Sequence, residues 1–319
     1  MKNLFTDSRL LDAACRERWG LTEEIMMENA AAALEREVLS ACAALGDGGR
    51  PAVLILCGGG NNGADGYALA RRLAASAVAP CLLAVAEPKS PLCISQAERA
   101  RRVGVPLLQA GDVSGGAGAG RGAFSVLVDC IFGSGFHGDL SPAVRALLAV
   151  FAWEHPAARR LPLRIACDVP TGLREDGTVA AGAFCADITV TMGAEKLSLY
   201  SDEAKDITGR ILVGDLGLSR ALFEQSAATG PGCPAEAGSA GPAPAARRLE
   251  ESDLLLPLRA RQNVHKGSFG HLAVASGEKP GASCIAGTAA LRFGAGLVTL
   301  VGPDAAGGGS PASLVALSP

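Results

Sequence analysis

The sequence predicts a doubly wound α/β domain, in which helices cover both faces of a mostly parallel sheet. Short apolar runs alternate with helical patterns along the first two thirds of the chain. Several of these runs are apolar at every position, as expected of strands that are buried on both faces. Aromatic residues make up only 4% of the chain while Ala and Gly are abundant, which suits close packing of helices on a sheet.

Two helices are predicted first. Ser8 can cap a helix over residues 10–19, and Thr22 can cap a longer one over residues 23–45, whose first turn begins with two glutamates. Strands are then predicted at residues 52–57, 81–86, 124–128, 163–167, 188–192 and 211–213. Helices are predicted from about Asp65, from Ser90-Pro91 and from Ser141-Pro142. This order predicts a Rossmann-like, three-layer α/β/α domain.

The chain divides by composition. Residues 1–226 are predicted to form the α/β domain. Residues 227–246 are rich in Ala, Gly and Pro without periodicity, which predicts an interdomain linker. Residues 247–319 are few for an independent α/β domain, so we expect them to be the N-terminal fragment of a larger one.

Composition also limits the function. The formal net charge is -3 with no basic run, so no nucleic acid or membrane partner is expected. Ten cysteines form no Cys-x-x-Cys pair, which favours buried thiols in a reducing compartment. The start of the chain lacks the apolar stretch of a signal peptide, and no apolar segment is long enough to span a membrane. We therefore expect a cytoplasmic protein.

The first loop of the predicted sheet is rich in glycine. Its pattern Gly58-x-Gly60-x-x-Gly63 fits the dinucleotide fingerprint between a strand and a helix, and Glu87 stands where a ribose-binding acid would. A NAD-linked dehydrogenase is therefore an alternative. Asn61-Asn62 and Asp65 count against it, because a carboxylate in the first helical turn would compete with a pyrophosphate for the same N–H groups. A capping role for Asn62 or Asp65 also stays open.

Two further predicted strands lead into an aspartate and a turn. Asp129 precedes the glycine-rich segment 131–138, and Asp168 precedes a Pro-Thr-Gly turn. The carboxyl ends of parallel strands meet at one edge of a sheet, where ligands bind in open α/β folds. A single aspartate of this kind is usually a cap or a turn former, but three such loops in one sheet indicate a binding site.

These segments resemble the NAD(P)H-hydrate epimerase family, whose fold is known as the YjeF N-terminal domain. The resemblance rests, in order, on segments 26–31, 60–66, 129–139, 168–172 and 186–196. That family interconverts the R and S forms of NADHX and NADPHX, in which water has added to the nicotinamide ring. The resemblance implies the same activity on the small molecule NAD(P)HX. A non-catalytic nucleotide-binding module remains an alternative from another class.

The resemblance also implies roles for individual residues. Two loops would bind the substrate: Asn61, Asn62, Gly63, Ala64 and Asp65, and Gly133, Ser134, Gly135, Phe136, His137, Gly138 and Asp139. Asp168 would contact the substrate and is the candidate general acid/base, which can serve both steps if its pKa is raised toward neutrality. Asn62, Asp129 and Thr171 would supply oxygens to K+, a hard cation. The family commonly has Gly at position 64 and Ser at position 171; a helical backbone would accept Ala64, and Thr171 keeps the hydroxyl.

The last segment carries a second resemblance. Residues 265–272 and 289–299 resemble the start of the ADP- or ATP-dependent NAD(P)H-hydrate dehydratase, a ribokinase-like fold that many bacteria fuse to the epimerase. An ordinary strand-flanking role for His265 and His271 is the alternative. Because later segments of that domain do not follow, we expect no dehydratase activity, and ADP or ATP would serve only an intact dehydratase domain. The oligomeric state, a homo-oligomer included, is left open.

Overall fold

The computed structural model describes residues 1–45, 50–109, 124–151, 162–225, 243–254, 261–302 and 313–317. These form two compact units, Met1–Arg248 and Leu249–Pro319. Most of the predicted linker, residues 227–242, lies outside the described residues. None of the helices in the described ranges is long and apolar enough to cross a membrane.

The first unit alternates strands and helices, as predicted. Its helices are α1 (Arg9–Trp19), α2 (Glu23–Leu45), α3 (Asn61–Leu73), α4 (Pro91–Val103), α5 (Pro142–Val150), α6 (Lys205–Thr208) and α7 (Arg220–Gln225). Its strands are β1 (Lys2–Phe5), β2 (Ala52–Cys57), β3 (Ala79–Ala84), β4 (Leu107–Leu108), β5 (Val126–Cys130), β6 (Leu163–Cys167), β7 (Ile188–Met192), β8 (Glu195–Lys196), β9 (Arg210–Gly214) and β10 (Ala246–Arg248).

Seven of these strands form one parallel sheet in the order β4-β3-β2-β5-β6-β7-β9. From β2 the chain first adds strands on one side and then, from β5, on the other. The strand order therefore reverses between β2 and β5, and the crevice outside the carboxyl ends of those strands is where open α/β sheets bind ligands. The predicted doubly wound fold is confirmed.

Helices cover both faces of this sheet. Successive strand residues point to opposite faces, so Ile55 and Val128 pack with α2, α3 and α4, whereas Leu54 and Leu127 pack with α5. All four side chains are fully buried. This is the three-layer arrangement that the unbroken apolar runs predict.

The local signals placed most helix ends correctly. The Ser90 and Ser141 hydroxyls accept hydrogen bonds from backbone N–H groups three residues on, and proline follows each serine. The predicted start of α3 near Asp65 is wrong, because the helix begins at Asn61 after Gly60. Gly60 occupies the N-cap position, and no side chain caps the helix there. The alternative that Asn62 or Asp65 caps this helix is therefore also wrong.

A smaller sheet joins the two ends of the first unit. Strand β1 pairs with β8 on one side and with β10 on the other. The sequence did not predict these short strands, because their pairing connects segments that are distant along the chain. Arg247 and Arg248, placed in the second domain by composition, belong to this sheet.

Gly63, in α3, lies against the backbone of Gly58. A Cβ there would overlap the carbonyl oxygen of Gly58, whereas a Cβ at Gly60 would meet open space. We expect Gly63→Ala to lower the free energy of unfolding by about 1–3 kcal/mol, because backbone must move. Gly60→Ala, the matched control, should change it by about 1 kcal/mol or less. Urea unfolding measures both; equal losses would contradict this account of the loop.

The second unit contains β11 (His271–Ala275), α8 (Gly281–Arg292), β12 (Leu297–Gly302) and β13 (Ser313–Leu317). Strands β11 and β12 are parallel and β13 is antiparallel to β12. His265 accepts a hydrogen bond from the Gly267 N–H, and His271 Nε2 lies 2.7 Å from Thr299 Oγ1. His265 therefore makes a local contact before β11, whereas His271 lies in β11 and contacts the neighbouring strand β12.

Candidate functional site

A cleft of about 730 Å³ opens in the first unit at the carboxyl ends of the central strands. Most of its lining comes from α1, α2, the start of α3 and the loop after β5, with single residues from α4, the ends of β6 and β7, and the segment after β9. The residues are Ser8, Arg9, Asp12, Arg16, Glu23, Met26, Met27, Ala30, Gly60, Asn61, Asn62, Asp65, Leu92, Ile131, Phe132, Gly133, Ser134, Gly135, Phe136, Asp168, Met192 and Leu216. The cleft therefore lies where the strand order reverses, at the carboxyl edge that the sequence predicts.

The first predicted substrate loop is the beginning of α3. Asn61, Asn62 and Asp65 line the cleft, whereas Gly63 and Ala64 are buried in the helix. Ala64 has helical backbone, as expected, and its small side chain is fully buried. Asp65 lies in the second turn of α3, so the prediction that it competes for the first-turn N–H groups is wrong.

The second predicted loop divides between two places. Gly133, Ser134, Gly135 and Phe136 line the main cleft. His137 and Asp139 line a separate depression of about 290 Å³, which also includes Phe136. Arg174 binds this part of the loop, since its guanidinium donates to the Gly138 carbonyl and to Asp139, each at 2.8 Å. The structure therefore does not bring residues 137–139 into the main cleft.

Asp168 occupies an unusual backbone conformation. Its φ is +68°, the left-handed region that non-glycine residues seldom adopt. The turn directs the carboxylate back over the strand ends, where Oδ2 accepts from the Ser134 N–H at 3.0 Å and Oδ1 from the Met192 N–H at 3.3 Å. Asp168 is the one non-glycine residue with a positive φ in the described part of the chain. Backbone strain at a residue in a cleft indicates a functional group.

Lys196 is the charged partner of Asp168. Its Nζ lies 2.6 Å from Asp168 Oδ1 and also donates to Thr191 Oγ1 at 2.9 Å and to the Met192 carbonyl at 3.3 Å. The ammonium is almost completely buried, so all three of its protons are used by protein acceptors. Burial by itself would raise the pKa of Asp168, but the Lys196 charge and these hydrogen bonds hold it below its usual value.

The neighbouring Glu195 fixes the direction of Lys196. Glu195 is 2% exposed, and its carboxylate accepts from Tyr200, Arg220 and Arg248 at 2.6–3.1 Å. Successive residues of an extended strand point to opposite sides. With Glu195 anchored in this cluster, Lys196 points to Asp168. Sequence reasoning assigned Lys196 no role, although it is the last residue of segment 186–196, on which the resemblance partly rests.

Two other carboxyl groups face the same cleft with the opposite tendency. Burial, with smaller contributions from Asp168 and Asp12, raises the pKa of Asp65 well above its usual value. Burial also raises the pKa of Asp12 to about 6, against a partial lowering by Lys196. Asp12 belongs to α1 and was missed, because a lone acid in an amphipathic helix ordinarily faces solvent. Asp12 and Asp65 thus retain protons more strongly than Asp168 does in the same cleft.

Of the three predicted potassium ligands, Asn62 lines the cleft, whereas Asp129 and Thr171 are bonded to each other. Asp129 Oδ1 accepts from the Thr171 hydroxyl at 2.8 Å and from the Ile131 N–H at 3.1 Å, and Oδ2 accepts from the Thr171 N–H at 2.7 Å. Asp129 and Thr171 are fully buried. Every donor on Asp129 is neutral, and burial raises its pKa to about 6. The Asn62 amide nitrogen is buried without a hydrogen-bond partner in the described part of the chain.

This donor set suits a hard monovalent cation. A buried carboxylate without a cationic partner is costly, so a charge of opposite sign is expected beside it. Asp129 and Thr171 each keep an oxygen lone pair beyond the bonds described. The Asn62 amide nitrogen has no hydrogen-bond partner among the described residues. Turning the amide by 180° would exchange its nitrogen and oxygen and place an oxygen at that position. The residues therefore fit the cation that the sequence resemblance implies.

Comparisons with known proteins show which proteins the chain is similar to. Residues 23–198 match the family model described as YjeF-related protein N-terminus. Two curated relatives are both described as bifunctional NAD(P)H-hydrate repair enzyme Nnr. The one from Helicobacter pylori is 39% identical over 94% of this chain and 57% of its own length. The one from Escherichia coli is 32% identical over 78% of this chain and 44% of its own.

The fold is shared with a solved structure. The crystal structure of yeast ynu0, YNL200c, superposes with a TM-score of 0.50 and 19% identity, over 60% of this chain and 81% of that one. This chain spans about half the length of the curated relatives it matches. Because the family model covers more than half of the 319 residues and contains most of the cleft, the chain belongs to the family described as YjeF-related protein N-terminus.

Proposed function

We propose that this chain is an epimerase that interconverts the R and S forms of NADHX and NADPHX. The proposal rests mainly on Asp168, which has a strained backbone and lies where the strand order reverses. Its carboxylate is held by Lys196 and two backbone N–H groups. The cleft volume of about 730 Å³ lies in the range of small-molecule sites. The relatives' description as NAD(P)H-hydrate repair enzymes supports the substrate class.

The chemistry requires that a hydroxyl leave one face of a ring carbon and return to the other. The lone pair of the ring nitrogen can assist either this route or opening and closing of the ring. The protein must supply a proton to the departing oxygen and remove one from the returning water. With its pKa held low, Asp168 is ionised at neutral pH, so it is the group that receives a proton. Lys196 keeps that carboxylate oriented and charged.

Potassium has a structural place in this proposal. Asn62, Asp129 and Thr171 would hold the ion, which would supply positive charge beside the Asp129 carboxylate and fix the strand-end loops on either side of Asp168. Asn62 also lines the cleft, and the Thr171 hydroxyl accepts from the Phe132 N–H at 3.0 Å. The chain's own residues therefore connect this position to the walls of the substrate cleft.

We expect K+ to raise the melting temperature in buffers otherwise containing only choline. The increase should be larger at pH 8 than at pH 5, since Asp129 with a pKa of about 6 is mostly protonated at the lower pH. Asp129→Asn should lose the potassium effect, whereas Asp176→Asn, a change at an exposed carboxyl, should keep it. Thermal scans at both pH values measure this. An equal potassium effect in both variants would remove Asp129 from the site.

The function is tested by supplying the purified protein with R-enriched NADHX and following its equilibration with the S form by chromatography. The same reaction without protein gives the background rate. Equilibration by the wild type at the background rate would refute the epimerase. Binding of NADHX without faster equilibration would instead support a non-catalytic module.

The dehydrogenase alternative receives no support from the site. In the part of the chain that the structure describes, Glu87 is exposed and is not in the lining of the cleft. Absence of dehydratase activity stays a prediction. ADP-dependent conversion of S-NADHX to NADH by the 319-residue chain would contradict it.

A further inference from the structure

We propose that Asp12, on helix α1, is the general acid that protonates the departing hydroxyl, opposite the base Asp168. This inference rests on the proposed epimerase function and deepens it, since Asp168 alone does not provide the proton that the first step needs. Helix α1 precedes the residues matched by the family model, 23–198. The proposal therefore adds a catalytic group from outside that segment.

The position of α1 supports this role. Ser8, Arg9, Asp12 and Arg16 all line the cleft, at the spacing that places residues on one face of a helix. The adjacent face of α1 packs into the core through Leu11 and Cys15, which are fully buried. The helix is thereby fixed with Asp12 directed to the cleft that also contains Asp168.

Asp12 is also an unpartnered polar group. It is half-buried, and its carboxyl has neither a hydrogen bond nor an ion pair with any described residue. By contrast, Arg9 is paired with Asp7, and Arg16 with Glu23. A half-buried carboxyl without a protein partner in a ligand cleft is available to a ligand.

The charges around Asp12 favour a proton-carrying carboxyl. The groups that act on it are Asp7, Arg16 on its own helix, Lys196, Asp168 and, from α3, Asp65. Lys196 is already hydrogen-bonded to Asp168, and Arg16 to Glu23, so neither cation is a direct partner of Asp12. With a pKa of about 6, Asp12 can both lose and regain a proton near neutral pH, which suits a general acid.

The step balances with these two groups. The Asp12 proton moves to the hydroxyl oxygen, the C–O bond breaks with its electron pair leaving on water, and the nitrogen lone pair forms a C=N bond. Water then adds to the other face of the carbon, the C=N pair returns to nitrogen, and Asp168 takes the proton of the added water. Exchange with solvent moves one proton from Asp168 to Asp12 and restores both groups. The S-to-R direction uses the two carboxyl groups in reverse.

The test compares Asp12→Asn with Glu17→Gln, the same carboxyl-to-amide change on the exposed face of α1. We expect kcat for R-to-S equilibration to fall about 10²- to 10⁴-fold in Asp12→Asn, with KM little changed. Glu17→Gln should match the wild type. The wild-type rate should also decline as pH rises above about 6, where Asp12 loses its proton, and Asp12→Asn should lack that decline. Asp12→Glu, which keeps a carboxyl, should recover part of the lost rate.

A second measurement does not depend on activity. Because the folded state holds the Asp12 proton more tightly than the unfolded chain, the wild type loses stability as pH rises from about 4 to 6. Asp12→Asn should therefore melt a few degrees above the wild type at pH 8 and equal it near pH 4.

The outcomes separate the two proposals. Wild-type equilibration with equal rates for Asp12→Asn and Glu17→Gln would overturn the Asp12 role and leave the epimerase standing. A wild type that does not equilibrate NADHX would overturn both. An Asp12→Asn protein that melts below the wild type at pH 8 would show that Asp12 has a structural partner, and would also overturn the role.

Discussion

Asp168→Asn is expected to reduce kcat for NADHX epimerisation by about 10²- to 10⁴-fold, the range typical of a lost general base. The substitution preserves much of the local structure. Asparagine also adopts left-handed backbone readily, so the φ of +68° remains accessible. Its carboxamide oxygen can still accept from Lys196 or the Ser134 N–H, but it cannot take a proton from water at neutral pH.

Asp187→Asn is the matched control. Asp187 is another half-buried aspartate with a charged partner, since its carboxylate accepts from the Arg164 guanidinium at 2.9 Å and from the Arg164 backbone N–H at 2.8 Å. It precedes β7, at the edge of the sheet opposite to the cleft. This variant should lose stability but keep kcat. Equal kcat values for the two variants would show that the effect of Asp168→Asn is structural.

The large features of the fold follow from local sequence signals. The fully apolar strand β2 and the serine-proline starts of α4 and α5 can each be recognised from a few consecutive residues. The loops at strand ends could also be placed, because all parallel strands end at the same edge. The cleft thus contains Asn61, Ser134 and Asp168 as predicted, although their roles remain proposals.

What could not be predicted depends on contacts between distant segments. Lys196 meets Asp168 only because β7 and β8 bring it across the end of β6. Asp12 enters the cleft only because α1 packs over it, and nothing in the pattern of α1 distinguishes its cleft-facing side from a solvent-facing one. The ionisation states of Asp12, Asp65 and Asp168 differ for the same reason, since burial and neighbouring charge arise from tertiary structure.

Lys196→Met is expected to destabilise the protein by about 3–5 kcal/mol at pH 8, the usual effect of removing one partner of a buried ion pair. Methionine can fill the space of the lysine stem but leaves the Asp168 carboxylate without its cation. Without the Lys196 charge, burial dominates and raises the pKa of Asp168 above its usual value. Chemical unfolding at several pH values measures the effect.

The sign of the pH dependence follows from that change. In the wild type, the lowered pKa of Asp168 contributes stability that is present above the unfolded value of 3.8 and is lost as pH falls through the lower folded value. In Lys196→Met the shift is reversed, so the variant loses stability as pH rises above about 4. The difference between the two proteins should therefore be large at pH 8 and shrink toward pH 4. The kcat/KM profile should move in parallel, with activity appearing only at higher pH.

Lys205→Met makes this test specific to burial. The Lys205 ammonium lies 2.6 Å from Asp202 Oδ1, the same distance as in the Lys196–Asp168 pair, but both side chains are mostly exposed. Water screens such a surface pair, so its loss should cost about 0–1 kcal/mol and leave the activity profile unchanged. If the two lysine variants lost equal stability, the buried pair would be no stronger than a surface one. Asp168 would then need another source for its charged state, and the assignment of Asp168 as the base would lose its physical ground.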